Sequence, residues 1–401
     1  MLQKAHGIGR QIALLPDRVV NLQSEIENFP YQQLKKARRT VALEVATYIA
    51  AGCTGAAFNV LPCFGEPFTE YEELMATIQR HRRFYDLMVR EGGRAGLQGL
   101  YSGWNCESYV TDGLDGDSWP RGTPWSCAAG HAAELWESGL PAAYRQDAAA
   151  VTLLGGDRVM ALSHEEIMTA LAGGIYMDAP ALERLNQRGY GEYTGFTVAG
   201  YQKSDCMEEL LPHPFNGVFA GRCRDGRQSF TWWGVDAARL TVADPGAIPL
   251  ARLIDYAGQE VANCCAGYFE NRLGGRVIVA GYYPWTFLQS NVKTLQLRQW
   301  MRYLSKDTLP AYIATPHKIA LWVKAPRPDH LTIALLNTCL DDAVNAELSL
   351  LTDKNEITVI DMDCRETLVC NSGGEGNYRR FVLPPITGWD MRWIRCYTAL
   401  G

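Results

Sequence analysis

Apolar positions first gather in a short extended run, Val19-Val20-Asn21-Leu22-Gln23-Ser24-Glu25-Ile26-Glu27, stopped by the aromatic–proline turn Phe29-Pro30-Tyr31. This reads as a strand running into a carboxylate pair. Residues 40–51 then carry Val41, Val45, Tyr48 and Ile49, the i, i+4, i+7, i+8 stripe of an amphipathic helix, with Gly52 as its stop. The run Gly55-Ala56-Ala57-Phe58-Asn59-Val60-Leu61 suits a buried parallel strand. Tyr71, Leu74, Met75 and Ile78 open a second helix that continues through Phe84, Leu87 and Met88 to Gly92-Gly93. Right-handed crossovers would make the two strands parallel neighbours. The layout matches the last strands of a (β/α)8 barrel, whose catalytic residues sit at strand C-terminal ends.

Residues 100–126 lose periodicity and are rich in Gly, Ser, Asp, Trp and Pro, as a linker would be. A second α/β pattern follows. It predicts a helix over 131–138, a strand over 140–144, and a helix over 167–172 opened by the capping box Ser163-His164-Glu165-Glu166. A strand over 175–178 and a helix over 179–188 come next, which suggests a Rossmann- or flavodoxin-like layer. Further on, the pattern predicts a strand over 276–280 and a helix with Leu297, Trp300, Met301 and Leu304 on one face. From Lys318 the texture changes to strands at 319–323, 331–337, 346–351, 356–360, 380–383 and 391–396, a β-sandwich signature. The predicted class is α/β plus β. Its parts are a barrel remnant (1–95), a linker (96–126), a Rossmann-like domain (127–312) and a C-terminal β-sandwich (313–401).

Composition narrows the function. The 401 residues are 47% hydrophobic with a net charge of -6, which leaves no electrostatic footprint for nucleic acid. The basic run Lys35-Lys36-Ala37-Arg38-Arg39 is expected to be a solvated face. No apolar run reaches the ~18 residues of a membrane span, and the N-terminus lacks the apolar stretch of a signal peptide. The twelve cysteines are dispersed without CxxC spacing, so a reduced, cytoplasmic protein is expected. Neither HExxH nor a phosphate loop is present, and no metal or cofactor is predicted.

Glu25 and Glu27 stand two apart, on one face of the strand above Gln23 and Asn21. Glycoside hydrolysis needs two carboxyl groups flanking the scissile bond, about 5–5.5 Å apart for retention and about 6.5–9.5 Å for inversion. Neighbours on one strand do not straddle a sugar. One would be the nucleophile and the other would bind a hydroxyl or cap the turn. The plainer alternative is a pair of ordinary polar residues at a strand end. Trp104, Trp119 and Trp125 could stack on sugar rings or cover a domain interface.

The stretch Leu22-Gln23-Ser24-Glu25-Ile26-Glu27-Asn28-Phe29-Pro30, with Ala51-Gly52-Cys53-Thr54-Gly55-Ala56 after it, resembles the end of the barrel in β-galactosidase-type enzymes of glycoside hydrolase family 42. Those enzymes follow the barrel with a Rossmann-like trimerisation domain, related in fold to glutamine amidotransferases, and then a small β-domain. Leu171-Ala172-Gly173-Gly174-Ile175-Tyr176-Met177-Asp178, with Leu182 and Arg188-Gly189-Tyr190-Gly191, resembles middle domains of uncharacterised relatives. The resemblance implies a carbohydrate substrate, a retaining mechanism and a homo-oligomer, by family a trimer. It makes Glu25 or Glu27 the nucleophile. The spacing to Pro30 fits Glu27, whereas strand phase and the Ser-Glu context fit Glu25. Gln23, Asn28, Tyr31 and Asn59 would contribute to the pocket. The family's acid/base Glu lies on the fourth barrel strand, upstream of this sequence, so the chain is expected to be a C-terminal portion, inactive alone. The alternatives are a non-catalytic oligomerisation or carbohydrate-binding module, or an amidotransferase-like enzyme with a cysteine at a strand–helix elbow.

Overall fold

The computed structural model describes residues 1–28, 36–61, 65, 67–105, 107–108, 133–202, 206–225, 236–282, 284–285, 290–327 and 330–397. The chain divides into two compact units. One comprises Met1–Gln98, Pro141–Arg145 and Ala311–Gly401, and the other Gly99–Leu140 and Gln146–Pro310. The segments expected to form a barrel remnant and a β-sandwich thus fall within a single unit.

That unit opens with helix α1 (Leu2–Ala13), which the sequence reading does not anticipate. Strand β1 (Gln23–Glu27), helix α2 (Arg38–Ala50), strand β2 (Gly55–Asn59) and helix α3 (Glu72–Gly92) follow. As the crossover rule requires, β1 and β2 are parallel, in register from Gln23↔Gly55 to Glu27↔Asn59. Two details differ from expectation. Helix α2 is not amphipathic: every residue from Val41 to Ala50 is buried, because α1, β1 and α3 pack around it. Strand β2 is not buried either. Phe58 is 44% exposed, since β1 is the one strand that pairs with β2 among the described residues.

The remainder of this unit is antiparallel. One sheet orders the strands Ile319–Arg327, His330–Asn337, Met391–Cys396, Glu356–Asp361 and Glu366–Cys370. The other orders Ala311–Ile313, Glu347–Leu351, Tyr378–Val382 and Gly373–Glu375. Alternating apolar residues from both sheets, among them Leu321, Ile333, Ile394, Leu348 and Phe381, meet in one core. The strands at Ala311–Ile313, Glu366–Cys370 and Gly373–Glu375 escape the sequence reading. The first and last are three residues long, and the middle one is mostly exposed, so none carries a clear alternation.

In the second unit, β3 (Gly99–Tyr101), β4 (Ala149–Leu154), β5 (Gly174–Asp178) and a later strand, Arg276–Ala280, form a parallel half-sheet. Helices α4 (Ala133–Glu137), α5 (His164–Ala172) and α6 (Ala179–Gln187) connect them. The capping box is present: Ser163 Oγ accepts from the Glu166 amide and Glu166 Oε2 from the Ser163 amide, at 3.2 and 2.8 Å. Between 196 and 270 lie strands that no sequence feature announced. They are β6 (Phe196–Gln202), β7 (Met207–Leu210), β8 (Cys223–Asp225), β9 (Ala237–Val242), β10 (Ile248–Ile254) and β11 (Glu260–Glu270). Strands β11, β10, β7 and β8 extend the sheet antiparallel from β12 (Arg276–Ala280), while β6 and β9 pair separately. The parallel layer is therefore half of a mixed sheet. Helix α7 (Asn291–Leu304) buries Leu297, Trp300, Met301 and Leu304, the stripe read from the sequence.

Candidate functional site

The pleat of β1 separates its side chains by face. Ser24 and Ile26 are buried, while Gln23 and Glu25 are exposed and Glu27 is half-buried. The expected carboxylate ledge is therefore present as a face, and Asn59 of β2 reaches it. Its Nδ2 donates to Glu25 Oε1 at 3.4 Å, and its backbone carbonyl accepts from the Asn28 amide at 3.0 Å. In register Asn59 stands opposite Glu27. Glu25, Glu27, Gln23 and Asn59 thus belong to one two-stranded surface. Asn28 is 8% exposed and lies at its lip as a buried residue rather than an open pocket wall. Tyr31 lies outside the described residues.

Two lysines hold this strand by its backbone. Lys4 Nζ donates to the Glu25 carbonyl at 2.6 Å, and Lys36 Nζ to the Glu27 carbonyl at 2.8 Å. Lys36 also pairs with Glu44 Oε2 at 2.5 Å. The expected solvated basic face holds for Arg38 and Arg39, which are exposed, and fails for Lys36. Lys36 is mostly covered, and Arg39 donates to the carbonyls of Trp389 and Gly388, both at 2.9 Å. Charge density alone could not separate these roles, because a lysine reaching a strand's carbonyls has no sequence signature. A groove of about 560 Å³ lies between β2 and helices α2 and α3, lined by Gln23, Ala56, Phe58, Met75 and Tyr85 among others. Phe58 and Met75 are half-exposed there, and β2 pairs with β1 alone among the described residues, which leaves a surface suited to a further strand.

Other candidates fall away on geometry. None of the described cysteines stands at a strand-to-helix elbow, the position an amidotransferase nucleophile requires. The elbow between β5 and α6 carries Asp178, whose carboxylate accepts from the Ala181 and Gly156 amides and from Trp285 Nε1. Cys53 is buried, and burial pushes its thiol up to about 11, as packing rather than nucleophilic chemistry predicts. Trp104 is 4% exposed and offers no stacking face, while Trp119 and Trp125 lie outside the described residues. Among the described residues no group of three or more His, Cys, Asp or Glu could hold a metal ion. No described helix is long and apolar enough to cross a membrane.

No protein-family model matches the chain, and no curated protein sequence does. Its structure is similar to that of α-L-fucosidase isoenzyme 2 from Paenibacillus thiaminolyticus, with a TM-score of 0.61 at 12% identity over 94% of this chain and 60% of that one. Weaker similarities link it to a rhamnosidase from Novosphingobium sp. PP1Y (TM-score 0.42, 11% identity, 93% of this chain and 30% of that one). The apo exo-carrageenase GH42 from Bacteroides ovatus follows (TM-score 0.38, 10% identity, 92% and 40%). The chain spans 60% of the fucosidase's length. At this identity the likeness is one of fold, and the fold of this chain is glycoside-hydrolase-like.

Proposed function

We propose that this chain is the C-terminal part of a carbohydrate-active, glycoside hydrolase-like protein resembling family 42, with the β1 ledge as the nucleophile half of its active site. The Asn59 amide reaching across to Glu25 on the exposed face of a parallel strand pair carries this reading. The likeness in fold to a fucosidase supports it. On this reading β1 and β2 are the last strands of a (β/α)8 barrel, and the groove beside β2 receives a neighbouring βα unit from outside this sequence. Glu25 is the nucleophile, attacking the anomeric carbon with Asn59 fixing its carboxylate. Glu27 and Gln23 bind sugar hydroxyls, and Tyr31 and Asn28 contribute to the pocket. The acid/base is supplied by residues beyond this chain. Without it, leaving-group departure would lose about 10²–10⁴-fold. The second unit would serve homo-oligomerisation, a trimer by resemblance, which sedimentation of the protein would read.

An activated substrate bypasses the missing acid, because 2,4-dinitrophenolate departs without a proton. The chain would be incubated with 2,4-dinitrophenyl 2-deoxy-2-fluoro glycosides covering α-L-fuco and β-D-galacto configurations. Intact-mass and peptide analysis would follow. A glycosyl adduct on the peptide holding Glu25, lost in Glu25→Gln and kept in Glu27→Gln, is the expected result. Adducts lost only in Glu27→Gln would move the nucleophile by one pleat. If no adduct forms while the sugars still bind, the chain is a non-catalytic carbohydrate-binding module.

A further inference from the structure

The backbone of β1 turns its two edges to different partners. The Leu22 carbonyl accepts from the Thr54 and Gly55 amides, and the Asn28 amide donates to the Asn59 carbonyl, so Leu22 and Asn28 aim their peptide groups at β2. That direction alternates along a strand. Gln23, Glu25 and Glu27 therefore aim theirs at the opposite edge, where no strand pairs with β1 among the described residues. Two lysines occupy this edge instead: Lys4 Nζ meets the Glu25 carbonyl at 2.6 Å, and Lys36 Nζ the Glu27 carbonyl at 2.8 Å.

Each lysine is held in turn by α2. Lys36 pairs with Glu44 Oε2 at 2.5 Å, and Lys4 lies over the Tyr48 ring, 5.4 Å from its centroid. Glu44 and Tyr48 stand four apart on one face of the helix, and Glu25 and Glu27 stand two apart on the strand. The spacings match, since four helical residues rise about 6 Å and two strand residues about 6.6 Å. Glu44 serves the later strand residue and Tyr48 the earlier one, the order expected of a crossover helix running back between parallel strands. Two rungs thus tie the outward edge of β1 to α2, Glu25–Lys4–Tyr48 and Glu27–Lys36–Glu44.

A carbonyl held in place fixes its peptide plane, and with it the direction in which that residue's side chain leaves the strand. A flanking strand would supply this hold through its amides. Here ammonium groups supply it, through charge-assisted bonds. The rungs are unequal, because Lys36 and Glu44 are only 22% and 12% exposed while Lys4 and Glu25 are open to water. We infer that Lys4 and Lys36 are positioning residues for the ledge: they take the place of a flanking strand and hold Glu25 and Glu27 at fixed heights against α2. Their effect on reaction rests on the nucleophile role proposed for β1, whereas their hold on the strand does not.

Two measurements on the full chain separate these effects. Native hydrogen exchange with peptide mapping reads the strand, and labelling with the 2-deoxy-2-fluoro glycosides reads the ledge as a maximal rate and a half-saturating concentration. Lys36→Met should speed exchange in the peptide holding Asn28 by about tenfold, the scale of one hydrogen bond to a charged group. The maximal labelling rate should fall by a similar factor at an unchanged half-saturating concentration. Lys4→Met should move both by about threefold, as an exposed bond would. Lys36→Arg returns a charged donor to the edge and should restore both. Should Lys36→Met not fold with Glu44 stranded, adding Glu44→Leu removes the rung and the lone charge together. Unchanged exchange in both lysine variants overturns the rungs, whether or not the wild type is labelled. Faster exchange with an unchanged labelling rate overturns the positioning role. A wild type that takes no label overturns the nucleophile reading and the positioning role with it, while faster exchange in the variants still upholds the rungs.

Discussion

Glu91 and Arg395, 304 residues apart, are bonded at 2.6 Å between the last turn of α3 and the final strand of the β-structure. The other Glu91 oxygen accepts from Trp393 Nε1 at 2.8 Å. Both charged side chains are mostly covered, at 10% and 15% exposure, so neither can fall back on water if its partner is removed. Glu91→Gln is expected to cost about 2 kcal/mol, and Glu91→Ala about 3 kcal/mol, in urea unfolding. A double-mutant cycle with Arg395→Met should return a coupling of about 1–3 kcal/mol. Additive single effects would mean that the two groups do not stabilise each other.

Asn59 is expected to matter for the ledge through Glu25. Asn59→Ala removes the 3.4 Å amide contact while leaving the β1–β2 backbone ladder in place. Formation of the glycosyl adduct should slow by about tenfold, the worth of one charge-assisted hydrogen bond, with the urea midpoint nearly unchanged. Equal labelling rates would remove Asn59 from the site.

His6 makes the first unit acid-sensitive. Burial, and after it Arg10, holds its imidazole down at about 3, against 6.5 for the free group. Between those values the unfolded chain binds more protons than the folded one, so stability is complete above about pH 6.5 and falls as the pH drops toward 3. The full loss is about 5 kcal/mol. Chemical denaturation from pH 7 to 4 should show this slope in the wild type and a flatter one in His6→Gln. Below about pH 4.5, Glu208 adds a second loss of the same sign, because Lys293 and Arg224 outweigh its burial and hold its carboxyl down at about 2.

Thiol reactivity should divide by burial. Cys223, Cys339 and Cys370 are exposed, whereas Cys53, Cys206, Cys264, Cys265 and Cys396 are buried. Burial pushes the Cys264 thiol up to about 12. In the native protein a thiol reagent followed by peptide mapping should modify the exposed three quickly. The buried five should react only on unfolding. Rapid labelling of Cys264 or Cys265 would contradict the packing of β11.

Two glycines should respond in opposite directions to alanine. A Cβ on Gly275 would sit 1.8 Å from the Leu171 carbonyl oxygen, where backbone meets backbone, so Gly275→Ala should cost more than about 3 kcal/mol. Gly7, inside α1, has open space within 4 Å of where an alanine methyl would stand, and Gly7→Ala should stabilise by about 0.5–1 kcal/mol. Thermal melts of the two variants against the wild type would show both signs.

The local elements were largely written in the chain, because they depend on residues close together in sequence. The Ser163 cap, the stripe of α7, the parallel β1–β2 pair and the phase that puts Gln23, Glu25 and Glu27 on one face all follow from short-range periodicity and crossover rules. What only the tertiary structure decided rests on neighbours distant in sequence. Helix α2 reads as amphipathic and is buried all round, because α1 and α3 cover its second side. Strands β7, β8, β10 and β11 form the antiparallel half of a mixed sheet and β6 with β9 a separate pair, although bulges and exposed faces leave no clean alternation to read. Lys36, part of an apparently solvated basic run, becomes a clamp on the Glu27 carbonyl. Glu208, Arg224 and Lys293 give no sign from their positions in the chain that they will meet in one buried cluster. Burial and charge balance are properties of the packed interior, and no window of sequence contains them.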